Sequence, residues 1–102
     1  MNKNKETDFL QELFNTIQNK AKGKDSKSYT KFLLKRGKNK IAKKVSEESS
    51  ELIIDYLNGT KKRTIEEAAD LIYHLFVLLY SKKISLNDIK KELINRHHVR
   101  RK

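Results

Sequence analysis

The sequence predicts an all-α protein, a bundle of four to five helices that forms one domain over residues 1–102. The chain has no proline and three glycines, which leaves few of the turns that sheets of short strands require. Lys, Leu, Ile and Glu dominate, and apolar residues recur at three- and four-residue spacing along most of the chain. Both features are typical of amphipathic helices. The predicted core spans about 7–97 and is followed by a basic tail at 98–102.

The sequence also indicates the cellular location of the protein. The absence of cysteine excludes disulfides and thiolate metal sites. No apolar run reaches the length needed to cross a bilayer, and the N-terminal stretch MNKNKETDFL lacks the apolar segment of a signal peptide. We therefore expect a cytoplasmic protein with no membrane partner.

Two helices are predicted in the first third of the chain, at about 7–20 and 29–36, with a loop at 21–28 between them. Gly37 follows the second helix and is expected to end it. We expect Thr7 or Asp8 to cap the first helix. The second helix is expected to turn three residues inward, namely Tyr29, Phe32 and Leu33.

A third helix is predicted at about 39–58, where Asn58-Gly59 ends it. Glu48 takes a position at which helical periodicity calls for a hydrophobic residue. A buried carboxylate is costly unless a cation neutralises it, so Glu48 is the first indication of a functional site. The main apolar row of this helix consists of Ile41, Val45, Glu48, Leu52 and Tyr56.

The fourth helix contains the most apolar segment of the chain. Thr64 is predicted to begin it, with Glu67 three residues later at capping-box spacing. From Leu71 to Tyr80 it is apolar on nearly all sides, so it needs more than one neighbouring element. One chain of this size offers few such neighbours, and we therefore expect a homodimer. Within this run His74 is expected to be a hydrogen-bonded core residue rather than a metal ligand.

The last predicted helix spans about 86–97. Ser85 is its expected N-cap, with Asp88 at the third helical position. The tail HHVRRK after it is expected to fray.

The net charge of +11 is unevenly distributed along the chain. Residues 1–46 carry 13 basic and 4 acidic side chains, and residues 71–102 carry 8 basic and 2 acidic ones. Between them, residues 47–70 carry 3 basic and 7 acidic side chains. Basic arms around an acidic centre are compatible with nucleic acid, or with a polyphosphate substrate held by a metal and by nearby Lys and Arg.

The acidic centre consists of two clusters on adjacent predicted helices. Glu47, Glu48 and Glu51 lie within an arc of roughly 100° on one helix face, because an α-helix turns about 100° per residue. Glu67 and Asp70 share a face of the next helix. Antiparallel packing of these helices would bring the carboxylates together, and Mg²⁺ or Mn²⁺ would relieve their repulsion.

Each of these acids also has an ordinary structural explanation. Glu67 could cap its helix, and Glu47 could be a solvated neighbour of Lys43 or Lys44. Capping explains neither Glu48 in an apolar row nor Asp70 beside the most apolar stretch. The combination therefore favours a metal site.

The pattern EExxE followed by ExxD on the next helix resembles the all-α nucleoside triphosphate pyrophosphatase superfamily, which includes the MazG-like enzymes. Four longer stretches resemble the phosphoribosyl-ATP pyrophosphatases of histidine biosynthesis more specifically. Together they span about residues 7–97. They are SYTKFLL at 28–34, KIAKKVSEESSEL at 40–52, EEAADLIYHLFVLL at 66–79 and ISLNDIKKELINRH at 84–97.

This resemblance implies a MazG-like helical fold, a dimer, and a Mg²⁺-dependent cytoplasmic enzyme. The implied reaction converts phosphoribosyl-ATP to phosphoribosyl-AMP and pyrophosphate. The family often carries a fused cyclohydrolase domain, which these 102 residues lack, so the stand-alone form is expected. The metal ligands that the resemblance implies are Glu48, Glu51, Glu67 and Asp70, with Glu47 as the fifth acid of the motif.

Further roles follow from the expected phosphate chemistry. Glu47 or Glu48 is the candidate general base that takes a proton from water. Lys40, Lys43 and Lys44 precede the acids by two turns or less and are candidate phosphate contacts. The remaining candidate substrate-binding residues are Arg36, Ser28, Tyr29 and Thr30. For all of these basic and hydroxyl residues, a plain surface or capping role is equally compatible with the sequence.

Two other functions stay open at this point. A house-cleaning nucleotide pyrophosphatase of the same superfamily would share the acids but not the SYT and YHL stretches. A basic helical nucleic-acid-binding module would explain the net charge but not the inward acids, and no recognition helix is evident, so nucleic acid is an unlikely partner.

Overall fold

The computed structural model describes residues 9–23 and 27–100, with side chains up to residue 97. In that part of the chain there are five helices and no strand, which confirms the predicted all-α class. Among the described helices, none has the length and apolar character that crossing a membrane requires. The helices are α1 Phe9–Lys22, α2 Tyr29–Arg36, α3 Lys38–Asn58, α4 Lys61–Ser81 and α5 Leu86–Arg100.

The two long helices α3 and α4 form the frame of the protein. They are joined by only Gly59 and Thr60, so they pack as an antiparallel hairpin, and their contact is the most extensive between any two helices. Gly59 makes this turn possible because a Cβ atom there would lie 2.6 Å from the Asp55 carboxylate. The turn holds α3 and α4 side by side along their whole length.

The hydrophobic core lies at one end of this hairpin, where α1 and α2 pack against it. Phe14 of α1 meets Phe76 of α4 edge-on, with ring centroids 5.3 Å apart. Leu86 and Ile89 at the start of α5 are partly buried against the same core. The buried apolar residues of the core are Phe14, Ile17, Leu33, Ile41, Phe76, Val77 and Leu79.

Gly37 is the single residue between α2 and α3, and it confirms the predicted end of the second helix. Its φ of 94° lies in the region that favours glycine. Its N–H donates to the Leu33 carbonyl at 3.2 Å, and its own carbonyl accepts from the Ile41 N–H at 3.1 Å. One glycine thus ends one helix and begins the next, which places α2 across α3 without a loop.

The predicted start of the fourth helix at Thr64 is wrong. Thr60 is the N-cap, and its hydroxyl accepts from the Arg63 N–H at 3.1 Å. Thr60 has an extended backbone directly after Gly59, so the helix begins there and Thr64 already lies inside it. Glu67 is therefore not a capping residue and is available for another role.

The ends of the other helices are close to those predicted. The first helix continues to Lys22, two residues into the predicted loop at 21–28, and its predicted caps Thr7 and Asp8 lie outside the described residues. At the last helix, the Ser85 hydroxyl accepts from the Asp88 N–H and the Asp88 carboxylate accepts from the Ser85 N–H, both at 3.0 Å. These bonds lower the pKa of Asp88 and confirm the predicted cap. The helix continues to Arg100, so residues 98–100 of the predicted frayed tail are helical.

Three residues that were predicted to point inward are exposed. Tyr29 and Phe32 are nearly half exposed, whereas Leu33 is fully buried. Tyr56 is 74% exposed, because the core is at the opposite end of the hairpin and no described helix covers this part of α3. The predicted apolar row of α3 is therefore buried at Ile41 and Glu48 but not at its C-terminal end.

Ser28 caps α2, since its hydroxyl accepts from the Lys31 N–H at 3.2 Å. We expect Ser28→Ala to lower the free energy of unfolding by about 1 kcal/mol, the usual cost of losing such a cap. Urea unfolding followed by circular dichroism would measure this. Ser50→Ala, at an exposed position inside α3, is the matched control and should not destabilise the protein. Equal stability of both variants would contradict the capping role.

Candidate metal centre

The α3–α4 hairpin brings carboxylates from both helices to one point. Glu48 of α3 and Glu67 and Asp70 of α4 each offer a ligand atom, and these atoms all lie within 4.8 Å of one another. Glu48 and Glu67 are only 8% and 5% exposed, whereas Asp70 is exposed. The cluster is therefore closed toward the protein and open on the Asp70 side. The convergence predicted for these three acids is present.

Two oxygen atoms in the cluster have no protein partner. Oε1 of Glu48 and Oε1 of Glu67 are both buried and accept no hydrogen bond among the described residues. A buried carboxylate oxygen without a donor is unfavourable, because it has lost water without compensation. Divalent cations such as Mg²⁺ prefer oxygen ligands of this kind. The residues present thus fit a bound divalent cation.

Glu51 lies beside this cluster and is exposed. Burial raises the pKa of the Glu67 carboxyl, and the negative charge of Glu51 raises it further. Arg63 opposes this shift and Glu48 adds to it. The three carboxylates that converge do not include Glu51, so its role as a fourth ligand stays a prediction.

Each buried acid has a cation four residues earlier on its own helix. Lys44 lies 3.7 Å from Glu48 and 3.6 Å from Glu47. Arg63 lies 2.6 Å from Glu67. The Arg63 contact is not among the predictions from the sequence. With the helix beginning at Thr60, Arg63 and Glu67 are four residues apart on one helix, a spacing that favours an ion pair.

A hydrogen-bonded chain connects the metal-site helix α4 with α2. His74 is buried, and its Nδ1 lies 2.8 Å from the Asp70 carbonyl oxygen. Because that oxygen can only accept, Nδ1 carries the proton in a neutral ring, and Nε2 accepts from the Tyr29 hydroxyl at 2.9 Å. This confirms the predicted hydrogen-bonded core histidine. It also holds Tyr29 beside the acids.

Tyr29 and Lys44 are the predicted substrate residues whose pKa values respond to the acids. Burial raises the pKa of its hydroxyl, the charge of Lys44 partly offsets that effect, and Tyr73, Glu48 and Glu47 add to it. Burial by itself lowers the pKa of Lys44, but the charges of Tyr29, Glu48 and Glu47 outweigh it and raise the pKa overall. Lys44 thus stays protonated next to the acids.

The other predicted substrate residues have varied positions. The hydroxyls of Ser28 and Thr30 are already engaged, by the Lys31 N–H and by Tyr73 respectively. Arg36 lies over the Phe32 ring, 5.6 Å from its centroid. Lys40 is half-buried, while Lys43 and Glu47 are exposed. Of the predicted lysines, only Lys44 has an ion pair to the acids among the described contacts.

An all-helical fold with carboxylates converging from two adjacent helices defines the class that the sequence resembles, the all-α nucleoside triphosphate pyrophosphatases. Residues 10–97 match the phosphoribosyl-ATP pyrophosphohydrolase family, and the chain belongs to that family. This confirms the family that the sequence stretches indicated.

Curated relatives have the same domain within longer chains. The chain is 44% identical over 91 residues to the histidine biosynthesis bifunctional protein HisIE of Staphylococcus aureus, and 43% identical to that of Staphylococcus epidermidis. Each alignment covers 89% of this chain and 43% of the relative. The chain thus spans less than half the length of the curated relatives it matches.

We expect Glu48→Gln to stabilise the metal-free protein. The change removes a buried charge whose Oε1 has no partner, while Lys44 keeps its contact with Glu47. We expect a gain of about 1 kcal/mol, or a rise of roughly 4–8 °C in melting temperature for a domain of this size. Thermal unfolding in EDTA, followed by circular dichroism, measures it.

The same experiment with Mg²⁺ supplies the control. Mg²⁺ should raise the melting temperature of the original protein and should raise that of the Glu48→Gln variant less. A metal-free variant that melts lower than the original protein would contradict the repulsion argument.

Proposed function

We propose that this protein hydrolyses phosphoribosyl-ATP to phosphoribosyl-AMP and pyrophosphate in histidine biosynthesis, with Mg²⁺ as its metal. The observation that carries the proposal is the pair of buried, partnerless oxygens of Glu48 and Glu67 on the two central helices of a family domain. The curated relatives are named for histidine biosynthesis, which supports the pathway. Mn²⁺ would suit the same all-oxygen ligand set.

In this proposal four carboxylates would hold the cation. They are the buried Glu48 and Glu67 and the exposed Glu51 and Asp70. When bound, Mg²⁺ neutralises phosphate charge and favours ionisation of water at the site. The open Asp70 side leaves room for substrate oxygens and for water. Mg²⁺ commonly keeps several water ligands in proteins.

Glu47 is the better candidate for general base. It is exposed beside the cluster and contacts Lys44 at 3.6 Å, whereas Glu48 is buried and committed to the cation. Glu47 would take the proton as the water oxygen attacks phosphorus, and the phosphoanhydride bond would break to release pyrophosphate. Lys44 would offset the negative charge of the phosphates.

The substrate side is proposed to be the exposed aromatic face of α2. Tyr29 stacks with Tyr73 and with Phe32, with centroid distances of 6.0 and 6.3 Å, and the Arg36 guanidinium lies 5.6 Å from the centroid of Phe32. Aromatic faces of this kind bind purine rings by stacking. Ser28 and Thr30 would support this face indirectly, and Lys40 and Lys43 would add positive charge.

We expect Glu48→Gln and Asp70→Asn each to reduce turnover by at least about 100-fold, because each removes charge from the metal centre. Pyrophosphate release from phosphoribosyl-ATP, with and without Mg²⁺, is the measurement. Glu92→Gln on α5, which alters an exposed carboxylate paired with Arg96, is the matched control and should keep full activity.

The choice of substrate decides between the related functions. Faster release from ATP or dUTP than from phosphoribosyl-ATP would favour a house-cleaning pyrophosphatase. Full activity of either metal-site variant would contradict the assigned ligands. No activity with any nucleotide, together with salt-sensitive DNA binding, would favour a nucleic-acid-binding module.

We also propose that the protein is a homodimer that uses the distal half of the α3–α4 hairpin, which is the half next to the Gly59–Thr60 turn. Seven large apolar residues of α3 and α4 are exposed in the single chain, five of them in this half, which is unusual for a stable monomer. Apolar patches of this kind are typical of subunit interfaces. The residues are Ile53, Ile54, Tyr56, Leu57, Ile65, Ile72 and Leu75.

Ile54→Glu should turn the dimer into a monomer, since it places a charge within this patch. Sedimentation velocity would show the mass falling from twice the 12.0 kDa of one chain to that value. Leu93→Glu on α5 is a matched control, because Leu93 and Ile54 are similarly exposed, at 61% and 59%. Loss of the dimer only in the Leu93 variant would move the interface to α5.

The proposed cellular location follows from the proposed substrate. Nucleotides and free Mg²⁺ are cytoplasmic, so we propose a cytoplasmic enzyme. In the described residues α1 to α5 all contribute to the same hydrophobic core, which supports the predicted single domain over residues 1–102, with its folded part at about 7–97.

A further inference from the structure

Arg63 lies on the first turn of α4 and contacts three carboxylates at once. Its Nη1 lies 2.6 Å from Glu66 Oε1, and its Nη2 lies 2.6 Å from Glu67 Oε2. The same Nη2 is 3.9 Å from Asp55 Oδ2 on α3. The side chain is 53% exposed, so the guanidinium forms the outer wall of the cluster rather than part of the core.

The two oxygens of Glu67 are in different situations. Oε2 is held by the Arg63 guanidinium, whereas Oε1 is buried without a partner. We propose that Arg63 is a positioning residue for the metal centre, which holds Oε2 so that Oε1 faces the cation. The inference rests on the metal centre in the proposed function, and it adds a residue outside the expected ligand set.

The guanidinium is suited to this task because its donors form a rigid planar fork. One arm binds Glu66 and the other binds Glu67, so rotation of the Glu67 carboxylate would break a short charge-assisted bond. Asp55 adds attraction from the neighbouring helix. Ligands oriented in this way by a second residue bind metal more tightly, typically by 10–100-fold.

Lys44 provides an internal comparison. It has the same four-residue spacing to its buried acid, Glu48, but the distance is 3.7 Å and no hydrogen bond joins the two in the described structure. An ammonium group is also a point charge without a fixed fork. Lys44 therefore contributes positive charge, whereas Arg63 contributes both charge and orientation.

Charge and orientation predict opposite results when Arg63 is removed. A positive group beside a ligand repels Mg²⁺, so charge alone predicts tighter metal binding without it. Loss of orientation predicts weaker binding. The sign of the change in metal affinity therefore shows which role Arg63 has. Weaker binding indicates that Arg63 positions Glu67, and tighter binding indicates that Arg63 only contributes positive charge.

The test is titration of the protein with Mn²⁺ alone. Calorimetry and the electron paramagnetic resonance signal of free Mn²⁺ would each measure the dissociation constant. We expect Arg63→Gln to weaken Mn²⁺ binding by about 10-fold or more. Arg63→Lys keeps the charge but loses the fork, and it should weaken binding by about three-fold or more. Arg96→Gln removes an exposed i, i+4 pair with Glu92 and should bind Mn²⁺ like the original protein.

Added guanidinium at low millimolar concentration should restore part of the lost affinity in Arg63→Gln and change nothing in Arg96→Gln. A purely structural role would leave Mn²⁺ affinity unchanged in folded protein, as judged by circular dichroism. If Arg63→Gln fails to fold, Arg63→Lys decides the question by the same titration.

Unchanged or tighter Mn²⁺ binding in a folded Arg63 variant would overturn the positioning role while leaving the metal centre intact. Failure of the original protein to bind Mn²⁺ would overturn both. Binding of Mn²⁺ by the original protein without hydrolysis of phosphoribosyl-ATP would overturn the proposed substrate but not the role of Arg63.

Discussion

The structure depends on one constraint, the burial of two carboxylates that face each other across the α3–α4 hairpin. Glu48 and Glu67 each keep one oxygen without a donor, although the other buried side-chain nitrogen and oxygen atoms of the described residues have hydrogen-bond partners. Such an arrangement is unfavourable by itself and persists because a tight Gly59–Thr60 turn and a separate hydrophobic core hold the helices together. Packing at one end of the hairpin thus stabilises two helices that carry an unfavourable pair of carboxylates near their middle.

The two buried acids are stabilised in different ways, one by a nearby positive charge and the other by a hydrogen bond of fixed geometry. Lys44 lowers the repulsion around Glu48 at a distance, and Arg63 holds Glu67 by a short bond. His74 links the Asp70 backbone to the Tyr29 hydroxyl, so the helix that carries two of the proposed metal ligands also fixes the aromatic face of α2. A shift of α4 would therefore move the proposed metal ligands and the proposed substrate contacts together, which is the basis for treating both as one candidate site.

The distal half of the hairpin has no packing partner among the described residues. Apolar residues such as Ile54 and Leu57 are exposed there, away from the core. A second subunit would cover these residues and support the hairpin that carries the proposed metal site. Proposed dimerisation and proposed catalysis thus draw on the same structural element.

The sequence by itself determined the all-α class, most helix ends, the family, and the meeting of Glu48, Glu67 and Asp70. The class and the helix ends follow from local periodicity and capping residues, and the family follows from the resemblance of four sequence stretches. The meeting of the acids follows from their spacing together with the expected antiparallel packing of two adjacent helices. Only the tertiary structure decided the start of α4 at Thr60, the exposure of Tyr29 and Tyr56, and the engagement of Ser28 and Thr30 by protein partners. It also showed that the Arg63 guanidinium binds both Glu66 and Glu67. These features depend on which helix covers which face, and helical periodicity in the sequence does not contain that information.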